Sequence, residues 1–149
     1  MADKNLQGKR VAILATDGFE QVELLKPRQA LDAAGAKTEV VAPEKTQKPG
    51  EIKGWDMTEW GSPVKVDKTL SQAKAADYDA LMLPGGVMSP DKLRMDRAAV
   101  AFVKEFFTSR KPVAAICHGP WTLVEADVVG GRRMTSWPSL QTDIRNAGG

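Results

Sequence analysis

The groups in this chain best suited to covalent chemistry are a thiol and an imidazole that stand side by side. Cys117 and His118 are the single cysteine and the single histidine of 149 residues, within the stretch 111–124, KPVAAICHGPWTLV. The first half of that stretch is an apolar run of strand type, and Gly119 and Pro120 suit a turn and the first helical positions after it. Ala115 and Gly119 stand two residues before and two after Cys117. That is the spacing of the nucleophile elbow G-x-S-x-G, with Ala and Cys in place of Gly and Ser. Small flanks let a sharp strand-to-helix turn close without side-chain clash. In that geometry the sulfur faces a helix N-terminus, whose unpaired N–H groups and positive dipole end favour thiolate over thiol. The competing reading is a buried small hydrophobe without chemistry, the commonest fate of a lone cysteine in an apolar strand.

A nucleophilic thiol needs a proton acceptor, because its ordinary pKa of about 8.5 leaves little thiolate at neutral pH. His118 is adjacent. Glu20 and Glu23, in DGFEQVEL, are three apart on a helical turn and share nearly one face, from which either could reach the sulfur. An ionised carboxylate would repel a thiolate, so a useful one is protonated and donates to sulfur, its pKa raised by partial burial. Acids at a solvated helix start are the plainer explanation of the same pair. The amides of Gly86 and His118 are candidates for an oxyanion hole, since glycine permits close approach and an elbow points its next amide inward. The Pro84-Gly85-Gly86 turn lacks both G-x-G-x-x-G and the P-loop lysine, so a phosphate cradle is not indicated. One Cys beside one His has no spacing for a tetrahedral metal, and no metal is expected. Trp55, Trp60, Trp121 and Trp137 have no stacking-module context and read as packing, with Trp121 also a candidate pocket wall.

These groups require a scaffold, and the pattern supplies strands alternating with helices. Residues 10–15, RVAILA, read as a central parallel strand covered on both faces, followed by a turn at Thr16-Asp17-Gly18. The next segment has helical spacing but contains Pro27, which predicts a short helical turn, a break near Lys26 and a second helix from Pro27 to Gly35. Residues 38–42, TEVVA, form the second strand. Residues 43–62 read as a turn-rich excursion or small hairpin, and 63–67, PVKVD, as a short edge strand. Ser71 is an N-cap candidate for a short helix through Ala76. Residues 80–83, ALML, make a buried strand that ends in the PGG turn. Residues 96–109 have an apolar helical side with Asp96 as cap. After the elbow helix, 132–136 read as a further strand and 140–147 as a final helix. The whole is an α/β three-layer sandwich with a largely parallel sheet and a single domain. In such sheets ligands collect beyond the strands' carboxyl ends, where the first turn, the PGG turn and the elbow all lie.

Composition narrows the function classes. A hydrophobic share of 42% with 27% charged residues is that of a globular chain, and prolines and glycines are spread through turns. No apolar run approaches a membrane span, and the start, MADKNLQGKR, is polar without the apolar core of a signal peptide. A cytoplasmic protein is expected, which suits a single unpaired cysteine. A net charge of +2 is too small to argue for nucleic acid, and no nucleic-acid module is present.

Five segments in order, VAILATDGFEQVEL, DALMLPGG, SPDKLR, KPVAAICHGPWTL and TSWPSLQTDIRNAGG, resemble the marked segments of the PfpI family. That family lies within the class I glutamine amidotransferase-like superfamily, which includes the parkinsonism-associated deglycase. The resemblance spans residues 10–149 and implies a flavodoxin-like sandwich with Cys117 on the elbow. It aligns Glu23 with the carboxylate that touches the sulfur, ranking it ahead of His118 as the sulfur's partner, and aligns His118 with the neighbouring histidine. Asp91 matches an acid offered across a subunit interface to orient that histidine, so a homo-dimer or higher homo-oligomer is implied. Members are described as intracellular cysteine peptidases, as glyoxalases and deglycases without cofactor, and as stress-induced chaperones; a general stress protein with cysteine hydrolase activity is expected, and the alternative is a redox sensor or holdase in which Cys117 is oxidised. The implied substrates are small dicarbonyl adducts on proteins or nucleotides. Similar members continue past the NAG motif into two more strands and a helix, so a C-terminally truncated domain with exposed apolar surface is expected here.

Overall fold

The computed structural model describes residues 6–149; the first five residues of the polar start lie outside the described part. Its core is a five-stranded, wholly parallel sheet of β1 (Arg10–Leu14), β3 (Lys37–Ala42), β6 (Lys68–Thr69), β7 (Ala80–Leu83) and β8 (Val113–Ala115), in the spatial order β6-β3-β1-β7-β8. Strand β1 is central because its side chains are buried on both faces. Ala12 and Leu14 face one apolar cluster, while Val11, Ile13 and Ala15 face the other. Period-two alternation thus sends successive residues into two separate cores.

On the first face α3 (Arg97–Thr108) presents Phe102, Val103 and Phe106, joined by Leu93 of α2 (Met88–Met95) and Leu123 of α4 (Pro120–Glu125). Asp96 caps α3 as the sequence indicates, accepting from the amides of Ala98 at 2.8 Å and Ala99 at 3.1 Å. On the opposite face α1 (Gln21–Ala33) and a small second sheet cover β1 and β3. That sheet contains β2 (Phe19–Glu20), β4 (Glu51–Asp56) and β5 (Glu59–Lys65), with β4 and β5 an antiparallel hairpin turning at Met57. A 3-10 turn at Pro138–Leu140 and α5 (Gln141–Asn146) close the chain. This is the flavodoxin-like three-layer sandwich expected. Apart from the two-residue β6, the strand order places a topological switch between β1 and β7, where a doubly wound sheet opens a crevice at its carboxyl edge.

Four local expectations are corrected. Helix α1 runs unbroken through Pro27. Arg28, the next residue, donates to Thr38 at 3.1 Å and reaches Asp67 at 3.5 Å, so tertiary ties hold the second half in line despite the missing amide. The 63–67 strand is the last part of β5, an edge strand of the second sheet, while β6 edges the main one. Ser71 caps no helix; its amide donates to Glu44 at 2.8 Å and its hydroxyl meets that of Thr69, a turn geometry, and only a 3-10 turn at Ala75–Asp77 follows. Residues 132–136 pair with no strand, because this segment crosses toward the elbow, where the Trp137 amide donates to the Cys117 carbonyl at 2.8 Å.

Candidate functional site

Three pieces of backbone meet at the carboxyl edge of β1, β7 and β8. The first is the β2–α1 junction carrying Glu20 and Glu23. It is fixed by Asp17, whose buried carboxylate accepts from the amides of Gln47 at 2.7 Å and Lys53 at 2.8 Å. The second is the Pro84-Gly85-Gly86 turn after β7. The third is the elbow from Ile116 to Gly119.

The elbow has the predicted form. Cys117 takes φ of 58°, a left-handed conformation unusual for a residue with a side chain, which lifts its thiol out of the strand. The turn is closed by the Gly119 amide donating to the Ile116 carbonyl at 2.8 Å. A Cβ on Gly119 would lie 2.7 Å from the Leu83 carbonyl oxygen, so the requirement for a small residue two after the nucleophile is physical. Gly85 is equally constrained, because a Cβ there would meet the Glu23 carboxylate and lie 2.5 Å from the Cys117 Cβ. Two reciprocal bonds zip the first two pieces together: the Glu20 amide donates to the Gly85 carbonyl at 3.1 Å, and the Gly85 amide donates to Glu23 Oε2 at 2.8 Å.

The sulfur has partners on both sides. His118 Nδ1 lies 3.2 Å from Cys117 Sγ, and Glu23 shares a hydrogen bond with the same thiol. Sequence reasoning ranked Glu23 first; the structure gives the sulfur both. The amides of Gly86 and His118 also point at Sγ, the pair expected to form an oxyanion hole. Burial pushes the Glu23 carboxyl above its ordinary range, although the Gly85 amide opposes the shift. Burial likewise pushes the Cys117 thiol up, with the Glu23 charge adding to it. Burial thus disfavours the charged form of both groups, and for Cys117 it outweighs the amides that would favour a thiolate. Burial pulls the His118 pKa down, leaving a neutral imidazole at neutral pH that can accept a proton.

The cleft over Cys117 has a volume of about 600 Å³. Its walls include Glu20, Glu23, Gly86 and His118 together with Trp55, Met57, Val87 and Trp137. Trp55 and Trp137, read from sequence as packing, are corrected to cleft walls, and Met57 and Val87 were not singled out; two tryptophans in the otherwise polar hairpin region were the available signal. Trp137 stacks on His118 at 5.9 Å. Trp121 stands behind the imidazole, edge-on at 5.1 Å with its Nε1 donating to Asp143, and is not a cleft wall. Gly85 likewise contributes its amide to Glu23 and does not line the cleft. Asp91, in the first turn of α2, is exposed and outside the cleft of its own chain. A larger groove of about 750 Å³ beside β8 is lined by Phe107, Val113, Leu123 and the cations Arg110, Lys111, Arg132 and Arg133, and Cys117 is not among its lining residues. Among the described residues no group of three His, Cys, Asp or Glu is placed to hold a metal ion. Nor is any helix among them long and apolar enough to cross a membrane.

A cysteine on a strained elbow at the switch point of a doubly wound sheet, flanked by a carboxylate and an imidazole, defines a class of α/β proteins with a thiol-centred site. Residues 9–149 match the model of the DJ-1/PfpI family, and the chain belongs to that family. It is 40% identical over 141 residues to general stress protein 18 of Bacillus subtilis, covering 95% of this chain and 78% of that one. It is 42% identical over 140 residues to protein/nucleic acid deglycase 2 of Escherichia coli, covering 94% and 77%. Among solved structures, a two-domain Anabaena variabilis protein with a DJ-1/ThiJ/PfpI-like and a ferritin-like domain superposes with a TM-score of 0.83 at 34% identity. The match covers 94% of this chain and 38% of that longer one.

Proposed function

We propose that this protein is a cofactor-independent cysteine hydrolase that removes methylglyoxal or glyoxal adducts as part of a stress response. The observation that carries the reading is the thiol of Cys117 held between Glu23 and His118 with two amides aimed at the same point. The names of the two relatives above, a stress protein and a deglycase, agree with it.

In this mechanism Sγ bonds the carbonyl-derived carbon of the adduct as the amine leaves, and the S–H proton passes through Glu23 or His118 to that amine. The fragment left on sulfur carries a hydroxyl carbon beside a carbonyl. A proton shift between those two carbons oxidises the first and reduces the second, giving a thioester with no external oxidant. The amides of Gly86 and His118 stabilise the oxyanion that develops. Water then hydrolyses the thioester to lactate or glycolate and regenerates the thiol. The test is release of lactate from methylglyoxal-treated N-acetylated amino acids, with Cys117→Ala as control. Loss of release in the variant is expected; an unchanged rate sinks the proposal.

A further inference from the structure

The cleft above Cys117 carries an asymmetry of charge that the reaction does not require. The chain contains 21 Lys and Arg against 19 Asp and Glu, yet among the described residues the only charged side chains in the cleft wall are Glu20 and Glu23. Lys92, on neighbouring α2, is tied to the Asp17 carbonyl at 3.2 Å and is not part of the wall. Glu23 is occupied by the Gly85 amide and the thiol. Glu20 is not: Oε1 accepts one long bond, 3.3 Å, from the Met57 amide at the hairpin turn, and its other oxygen has no partner among the described residues.

The same hairpin supplies an aromatic wall. Trp55 Nε1 donates to the Met57 carbonyl at 2.9 Å, and its ring meets Trp60 edge-on at 5.4 Å, so the indole is held in one orientation beside the cleft. Met57, Val87 and Trp137 are 81%, 53% and 53% exposed and give the mouth an apolar rim. A carboxylate beside an indole, entered over an apolar rim, is suited to a group with a hydrocarbon stem and a cationic head. It is hostile to phosphate, which would be brought against the Glu20 carboxylate with no cation in the wall among the described residues.

Resting on the deglycase reading above, we propose that Glu20 and Trp55 form a specificity subsite that admits adducts carried on arginine or lysine side chains and turns away those carried on nucleotides. A guanidino or amino adduct would place its stem over Met57 and its charge at Glu20, leaving the dicarbonyl-derived carbons over Sγ. On this basis the physiological substrate is modified protein and not the nucleotide pool.

Two measurements test this and separate it from the reading beneath it. In the first, wild-type protein and Glu20→Gln are given methylglyoxal adducts of Nα-acetylargininamide and of guanosine 5′-monophosphate, and lactate release is followed. The kcat/KM ratio should favour the argininamide adduct in wild type and fall about 10-fold or more in the variant, mainly through KM. A wild-type protein that turns over the nucleotide adduct equally well, or a ratio unmoved by Glu20→Gln, overturns the subsite. The second needs no turnover: alkylation of Cys117 by iodoacetamide is measured with unmodified Nα-acetylargininamide or guanosine 5′-monophosphate present at millimolar concentration. The first compound should slow alkylation several-fold and the second should not; Glu20→Gln should abolish the protection, and Trp55→Leu should weaken it. Equal effects of the two compounds, or no protection, overturn the subsite whatever the turnover result. If neither adduct releases lactate while protection is intact, the subsite stands and the deglycase reading fails.

Discussion

Two glutamates are drawn out of solvent around the sheet, Glu39 on β3 and Glu23 on α1, and they are treated in opposite ways. Glu39, on β3, meets the Arg10 guanidinium at 3.1 Å, Lys68 at 3.6 Å, Lys37 at 3.6 Å and the Tyr78 hydroxyl at 2.8 Å. Burial alone would raise its carboxyl, but Tyr78, Arg10 and Lys68 together hold it below the usual range. Among the described residues Glu23 has no cation beside it. Burial raises its carboxyl, and only amides and a thiol oppose the shift. A buried carboxylate with matched cations is a structural fixture; one left without them retains a proton that it can lend. Among the described residues three cations meet Glu39 and none meets Glu23, which separates a part of the fold that holds from the part that reacts.

The strongest way to break this contrast is Gly85→Ala. The added Cβ would press on both Glu23 and the Cys117 Cβ, so adduct turnover should fall about 100-fold or more and stability by about 1–3 kcal/mol. Lactate release and urea unfolding check the two effects, and near-normal turnover would show that the close approach is not essential. Next, Glu39→Gln should cost about 1–3 kcal/mol of stability by leaving Arg10 and Lys68 without their carboxylate, while the alkylation rate of Cys117 stays the same. Tyr78→Phe removes one hydrogen bond to Glu39 and should cost about 1 kcal/mol, again without effect on the thiol.

The smallest effect is one of pH. Because the Glu23 charge helps raise the thiol pKa, Glu23→Gln should move the midpoint of Cys117 alkylation to lower pH. The two glutamates also oppose each other in pH-dependent stability. With its carboxyl lowered in the fold, Glu39 contributes stability above its ordinary value of 4.5, and that contribution is lost as pH falls through the folded value. Glu23 is raised, so the folded state keeps a proton that the unfolded chain has already given up. Stability falls as pH rises from 4.5 through its folded value. Unfolding measured across pH 3–8, an interval of about five units spanning ordinary carboxylate titration, should show Glu39→Gln flattening the acid limb and Glu23→Gln flattening the limb above it.

The elbow and the sheet were legible because short-range rules decide them. Small residues around Cys117, buried β-branched runs and an Asp96 cap mean the same thing in almost any context. Pro27 was misread because its neighbour Arg28 is held by residues ten and thirty-nine positions away, ties that local propensity does not record. The hairpin wall of the cleft was missed for a related reason: Trp55 and Met57 reach the site because β4 pairs with β2, setting Trp55 opposite Glu20, and because Asp17 ties the Gln47 and Lys53 amides to the end of β1. Asp91 was chosen for a position in a motif, and within its own chain nothing brings it to the sulfur.

The placing of the nucleophile on β8 also bears on how the site comes into being during synthesis. Glu23 and Cys117 are separated by 94 residues (117 minus 23), so at ordinary translation rates the thiol leaves the ribosome about 5–20 s after the carboxylate that meets it. Strand β8 is at an edge of the sheet and docks on β7, after β1, β3 and β7 can already have paired. The sulfur thus arrives late, just ahead of His118, and until it docks it is an ordinary solvated thiol, open to any oxidant or electrophile that the finished cleft would screen.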